Sequence, residues 1–320
     1  MAAAEVGDEQ RFEDPQVNAL CERIAGLLGQ EAAVFMPSGT MCNAISFRIH
    51  LEKPGSQAIL HRTSHPMLYE GGAPASYAGG MVFPLDSDDG SFDGAAVRAA
   101  LHDPANRYAP RSRLVFVEQT ANEPGGRIWP LERVDDVLAA AREAGLRTHL
   151  DGARLLNAVV ATGIPADRWA SGFDSAWIDF SKGLGAPIGA CLAGSAAFIE
   201  EAWRLKQMTG GALRQAGIVA AGALHALDRH VDRLAEDHAN ARTLAEGLAQ
   251  LPGITIDPAI VDTNIVRFDV ADPAAFCAEL ADHGVLMAPL SATTIRAVTH
   301  LDVDADGIDT ALVAASRVAG

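Results

Sequence analysis

DSAWIDFSKGLGAPIGACLAG, residues 174–194, sets two apolar runs, SAWIDF and IGACLA, on either side of a short polar turn. Each run is apolar almost throughout, as expected of strands buried on both faces. The turn carries one cation, Lys182, between Ser181 and Gly183, with Gly185 just beyond. Two readings compete for it. Lysines often end strands with the head group reaching water. A desolvated lysine, by contrast, is the usual carrier of Schiff-base chemistry. The rest of the chain has to decide.

Outward from this stretch the texture repeats. AAVFM (32–36), QAIL (57–60), MVFPL (81–85), RLVFVE (113–118) and LRTHL (146–150) are further apolar runs. Helical patterns lie between several of them. Asp14-Pro15 opens one as N-cap and first helical residue, and Gly29 stops it; LERVDDVLAAAREAG is another, with Gly145 at its C-cap. Strands of this kind separated by helices indicate an α/β fold with a mostly parallel central sheet covered on both faces. A long helical stretch from about 216 to 251 breaks near Gly222 or Arg229. After Pro252-Gly253, ITIDPAI, TNIVRFDV, GVLMAPL and TTIRAVTH read as strands around a helix at DPAAFCAELADHG, a small α+β domain. The expected division is a large α/β domain over 1–250, with an N-terminal helical segment 1–29, and a small C-terminal domain over 251–320.

Composition narrows the partners. A chain of 320 residues can bury a large core. A net charge of −16 repels phosphate overall, which argues against a nucleic-acid or anionic-membrane surface while leaving room for a local anion pocket. Cys21, Cys42, Cys191 and Cys277 are scattered without zinc or CxxC spacing, so free thiols in a reducing compartment are expected. No stretch approaches the ~20 apolar residues of a membrane span, and MAAAEVGDEQRFEDP has no basic leader region. The expectation is a soluble, cytoplasmic protein.

In an open α/β sheet, ligands sit at the carboxyl ends of the strands. Several polar sets occupy such ends. In MPSGTMCN (36–43), Ser38, Gly39 and Thr40 open a helix after AAVFM, where free backbone N–H groups suit a phosphate; the GK[ST] ending of a P-loop is missing. THLDGARLLNA (148–158) ends a strand on Asp151 with Arg154 three residues later. These two could pair with each other, or Asp151 could hold a cationic nitrogen while Arg154 takes an anion. HRTSHPMLYEGG supplies His61, His65 and Glu70, whose spacing matches no common metal set. His65, before Pro66, is expected to be extended at a helix start, a place for a flat stacking ring. Arg296 sits in the apolar strand TTIRAVTH and must find an anion, protein or ligand. Together these are the parts of a pyridoxal phosphate site: an amine, a carboxylate for the ring nitrogen, a phosphate cup, a stacking ring and an arginine for a carboxylate.

The motifs PSGTMCN, HPMLYEGGA, HLDGARLLNA, SKGLGAPIG, GGALRQAG and IRAVTHLD, in this order, resemble the low-specificity threonine aldolases. These belong to the beta-eliminating lyase group within the aspartate-aminotransferase-like fold, fold type I of the pyridoxal-phosphate enzymes. The resemblance implies that Lys182 carries pyridoxal 5′-phosphate, Asp151 pairs with its ring nitrogen, His65 stacks on the ring, and Gly39 and Thr40 hold the phosphate. It implies that Arg154 lies near the ring oxygen or substrate carboxylate and that Arg296 binds that carboxylate. Lys206 and Arg214, in LKQMTGGALRQAG, match basic residues that approach the phosphate from a neighbouring subunit of a homotetramer, a dimer of dimers. Two departures stand out. The chain begins after the family's strand and Ser-Asp-Thr stretch, so one carboxylate contact is expected to be absent or replaced. In VEQTANEPGGRIWPL, Gln119 and Ala121 stand where the family often has Asn and His.

The implied reaction is reversible retro-aldol cleavage of a β-hydroxy-α-amino acid to glycine and an aldehyde, with His65 or an ordered water as base at the β-hydroxyl. Three alternatives stand beside it. One is another reaction on the same cofactor, such as β-elimination; another is a fold relative without turnover. The third is a metal-dependent hydrolase built on His61, His65, His149 and Asp151.

Overall fold

The computed structural model describes residues 1–319. Its strands are β1 (Ala32–Met36), β2 (Gln57–His61), β3 (Met81–Leu85), β4 (Ser112–Glu118), β5 (Arg147–Gly152), β6 (Ser175–Asp179) and β7 (Ala190–Gly194), then β8 (Ile265–Asp269), β9 (Ala288–Pro289) and β10 (Thr294–Val298). The first seven form one sheet in the order β1-β7-β6-β5-β4-β2-β3. Only β7 runs against its neighbours β6 and β1; the others pair in parallel. Alternation explains why these strands are apolar throughout. Phe35, Val115, Val117 and Ile178 enter the larger core on one face, while Val34, Met36, Leu114, Phe116 and Trp177 pack on the other.

The helix Pro15–Leu28 is N-capped by Asp14 and ends on Gly29, whose φ of 64° suits glycine. Asp14 is fully buried because it also receives the backbone N–H groups of Gly7 and Gly217, so one carboxylate closes the starts of two helices. The long helical stretch is two helices, Gly217–Arg229 and Leu234–Leu248. The break falls after Arg229, not at Gly222, which packs inside the first helix. At the break His230 Nδ1 donates to the carbonyl of Leu184 at 2.6 Å, tying this junction to the Lys182 turn.

The C-terminal sheet is antiparallel, ordered β8-β10-β9, with the helices Pro273–Asp282 and Ala305–Val318 against it. ITIDPAI is not a strand. Thr255 makes one isolated bridge to Asp269, and Pro258–Ile260 is a 3-10 turn, since Pro258 lacks the N–H a ladder needs. No helix among the described residues is long and apolar enough to cross a membrane.

One loop joins the two sheets. Arg127 pairs with Asp262 at 2.8 Å, Thr263 Oγ1 donates to the carbonyl of Gly126 at 2.9 Å, and Arg267 Nη1 donates to the carbonyl of Glu123 at 2.5 Å. Residues 121–128 therefore grip the small sheet at several points.

Candidate active site

The carboxyl ends of β1, β4, β5 and β6 open into a cavity of about 570 Å³, lined by Ser38, Gly39, Thr40, His65, Asp151, Arg154, Lys182 and Arg296 among others. Eight of the ten predicted site residues thus meet in one place. They come from segments far apart in the chain and from both sheets.

After β1 the chain turns into the helix Gly39–His50, capped by Ser38, whose Oγ accepts from the N–H of Met41 at 3.2 Å. Earlier N–H groups of that first turn have no intrahelical partner, and Gly39 and Thr40 line the cavity. Only glycine fits at 39: a Cβ there would sit 2.1 Å from the ring of Trp177. Asn43, one turn along, is a buried hub. Its Nδ2 donates to Glu70 Oε1 (2.7 Å) and Asp151 Oδ2 (2.8 Å), and its Oδ1 accepts from Trp177 Nε1 (2.8 Å). His149 Nε2 adds a further contact to that oxygen at 3.2 Å.

Asp151 is 1 % exposed. Burial first, then the charge of Glu118, pushes its carboxyl up to about 8, against the pull of Asn43 and the Ala153 N–H. Asp151 and Arg154 do not pair; the carboxylate has no cationic partner among the described residues. A cationic ring nitrogen beside Asp151 would supply the missing charge.

His65 begins a one-turn helix, His65–Leu68, rather than standing extended before Pro66; the extended residue is Ser64. Its N–H donates to Glu118 Oε2 at 2.6 Å, and its Nδ1 meets Glu70 Oε1 at 2.8 Å. Burial opposes charge on the ring, but Glu70, Asp151 and Glu118 together outweigh it and raise its pKa. Glu118 also accepts from the N–H of Asn122 at 2.8 Å, so one buried carboxylate staples the His65 turn to the 121–128 loop.

The two arginines converge. Arg154 Nη1 donates to Asn122 Oδ1 at 3.0 Å, and Arg296 Nη2 donates to the same oxygen at 2.9 Å. Neither forms an ion pair among the described residues, and the Nε of each is buried without a partner. Burial and the neighbouring charge of Arg296 bring Arg154 down to about 10. Two such guanidiniums sharing one amide oxygen form an anion site.

Lys182 lines the same cavity but is exposed, not desolvated as one reading of its turn required. Asp179, at the end of β6, faces it: burial raises the Asp179 carboxyl, and the Lys182 charge is the largest influence pulling it back.

Lys206 and Arg214 lie elsewhere. Lys206 is fully buried, its ammonium paired with Glu9 and 4.4 Å from the centre of the Trp203 ring, so it cannot serve a phosphate in this cavity. Within this chain the Lys206 ammonium is committed to Glu9. That partner lies 197 positions away, which sequence spacing does not reveal. Arg214 is exposed and paired with Asp8. The histidines of the metal reading also disperse: His61 bonds Thr63 and Ser87, and His149 bonds Ser175 and Asn43. Among the described residues no three His, Cys, Asp or Glu side chains are placed to hold a metal.

Glu118, Asn122 and Asp179 were missed as site residues. Glu118 and Asp179 end β4 and β6, as Asp151 does β5, so the strand-end criterion would have found both. Asn122 carries no such signal.

Comparison with known proteins extends the geometry. A family model described as beta-eliminating lyase matches residues 1–271. The low specificity L-threonine aldolase of Escherichia coli K12 is 38% identical over 306 residues, 95% of this chain and 89% of that protein. A solved Leishmania major threonine aldolase superposes with a TM-score of 0.83 at 21% identity, over 99% of this chain and 93% of that one. The serine palmitoyltransferase of Sphingomonas wittichii superposes with a TM-score of 0.73 at 18% identity, over 95% of this chain and 76% of that one.

Proposed function

The chain belongs to the beta-eliminating lyase family, and from that premise we propose that it is a pyridoxal-phosphate enzyme cleaving threonine-like β-hydroxy-α-amino acids to glycine and an aldehyde. The observation that carries the substrate class is the convergence of Arg154 and Arg296 on Asn122 in the cavity that holds Lys182 and Asp151. An amine site and a carboxylate site within one small cavity suit an α-amino acid.

The residues present fit the cofactor. The first-turn N–H groups after Ser38, at Gly39 and Thr40 on the cavity wall, suit a phosphate, and Asp151 is a buried carboxyl lacking a cation. Lys182 would hold the cofactor's aldehyde carbon, Asp151 its ring nitrogen, His65 its ring face, and Ser38, Gly39 and Thr40 its phosphate. When bound, the cofactor withdraws electrons from the substrate's α-carbon, which weakens its bonds. The chain's own residues do the rest. Arg154 and Arg296 clamp the carboxylate and so choose which bond is weakened. Asp151 keeps a proton on the ring nitrogen. Cleavage needs the β-hydroxyl proton removed as its oxygen becomes a carbonyl, and a proton returned to the α-carbon. His65 Nε2 is suited to the first task, directly or through a water, because Glu70 occupies Nδ1 and fixes the ring. His65 is the histidine lining the cavity; Ala121, 4 % exposed, supplies no second imidazole at its position.

The same proposal includes the division at residue 250, a homo-oligomer that is a dimer of dimers, and a cytoplasmic location. Arg214, exposed and outside its own cavity, supports reach to a neighbouring copy, and four unpaired cysteines support a reducing compartment. The test is to offer the loaded enzyme a panel of β-hydroxy amino acids and assay glycine and aldehyde together. Equimolar release is expected; pyruvate or another oxo acid without glycine would transfer the reading to β-elimination.

A further inference from the structure

On one wall of the cavity Tyr69 Oη donates to Glu123 Oε2 at 2.7 Å. The tyrosine closes the same turn that presents His65, its N–H bonded to the His65 carbonyl at 2.9 Å, and its ring centre lies 5.4 Å from the imidazole. Glu123 follows Asn122, the acceptor of both arginines. Arg267 holds the Glu123 carbonyl, so the peptide is fixed and the carboxylate alone is free to turn. Burial lowers the Arg296 pKa, and Glu123 is the acid that most opposes that effect, so the two side chains are electrostatic neighbours. Yet they form no ion pair. A glutamate beside a half-buried guanidinium ordinarily closes on it as a forked pair.

We propose that Tyr69 is a positioning residue for the substrate carboxylate: its hydroxyl holds Glu123 Oε2 off Arg296, which keeps that guanidinium open. The inference rests on the reading of Arg296 as carboxylate clamp. Without the phenol, Glu123 swings onto Arg296 and competes with substrate. A hydroxyl 2.7 Å from a carboxylate thereby sets affinity at a site it does not touch.

Tyr69→Phe removes one oxygen and keeps the ring. In pyridoxal-phosphate-loaded enzyme it should raise the KM for L-threonine about ten-fold, the value of one charge-assisted hydrogen bond, while kcat stays within about two-fold. The glycine concentration that half-saturates the change in visible absorption should rise by the same factor. Glu123→Gln added to Tyr69→Phe should restore both, because the amide cannot compete as an anion. An unchanged KM in Tyr69→Phe, or a double variant as impaired as the single, overturns the proposal. Should Tyr69→Phe fold poorly, Glu123→Gln alone is decisive: it should bind glycine at least as tightly as wild type, and weaker binding refutes the model. A wild-type enzyme that binds glycine but releases none from any β-hydroxy amino acid refutes the proposed reaction. The glycine titrations would still read the guanidinium.

Discussion

Lys182 and Lys206 are both singled out by the sequence as candidates to meet the cofactor, and the structure treats them oppositely. Lys206 is sealed. Glu9 neutralises it, the Trp203 ring lies against it, and the second oxygen of Glu9 accepts from the Leu213 N–H at 2.8 Å. Lys182 is left open in a cavity whose acids, Asp151, Glu118 and Asp179, are raised by burial and lack ion-pair partners. The contrast extends to other groups. Lys206 and Asp14 are matched in the interior and His50 is held neutral there; at the carboxyl edge of the sheet charges wait for a partner. Unsatisfied charge, more than charge itself, marks the site.

The largest test of that contrast is Lys182→Ala. Turnover should fall by ~10³-fold or more, and borohydride should no longer fix cofactor mass onto the chain, while the urea midpoint stays near wild type. A variant that still traps cofactor would erase the distinction between the lysines. Lys206→Met should do the reverse, costing about 3–5 kcal/mol because Glu9 is left buried and unpaired. Glu9→Leu combined with Lys206→Met should recover much of the loss in urea unfolding. Stability untouched by the single change would mean the seal is not structural.

Acid sharpens the interior half of the comparison. Burial holds His50 at about 4. The folded value lies below the ordinary ~6.5, so the unfolded chain takes the proton more readily. Stability from the neutral ring is complete above about pH 6.5 and declines as pH falls toward 4, by up to about 3 kcal/mol. His50→Gln should flatten that limb in unfolding free energies measured between these pH values; an unchanged slope would show that other groups carry it. The smallest effect belongs to the cavity. Arg296→Gln should raise substrate KM by ~10–100-fold with a lesser change in kcat and little change in melting temperature. A large fall in melting temperature would mean Arg296 is an interior group after all.

The sheet was legible because its strands are apolar on both faces and its helices carry their caps: Asp14-Pro15 and Gly29 bound a helix as written. ITIDPAI misled because alternation alone cannot show that Pro258 has no ladder to join. The kink assigned to Gly222 or Arg229 was settled by tertiary contact, His230 to Leu184, which local propensity does not contain. Within the site, residues with distinctive chemistry at strand ends stood out. Asn122 did not, because an amide in a loop announces nothing until two arginines from different sheets meet on it. The ion pair of Lys206 was hidden for a different reason, its partner being almost two hundred residues away.

The loop at residues 121–128 carries Asn122 toward the arginines and also holds Asp262, Thr263 and Arg267 of the C-terminal unit. Anyone building chimeras by exchanging the tail with that of a relative would therefore need to transplant this loop with it. A tail moved alone would arrive with its guanidinium aimed at a stranger's backbone.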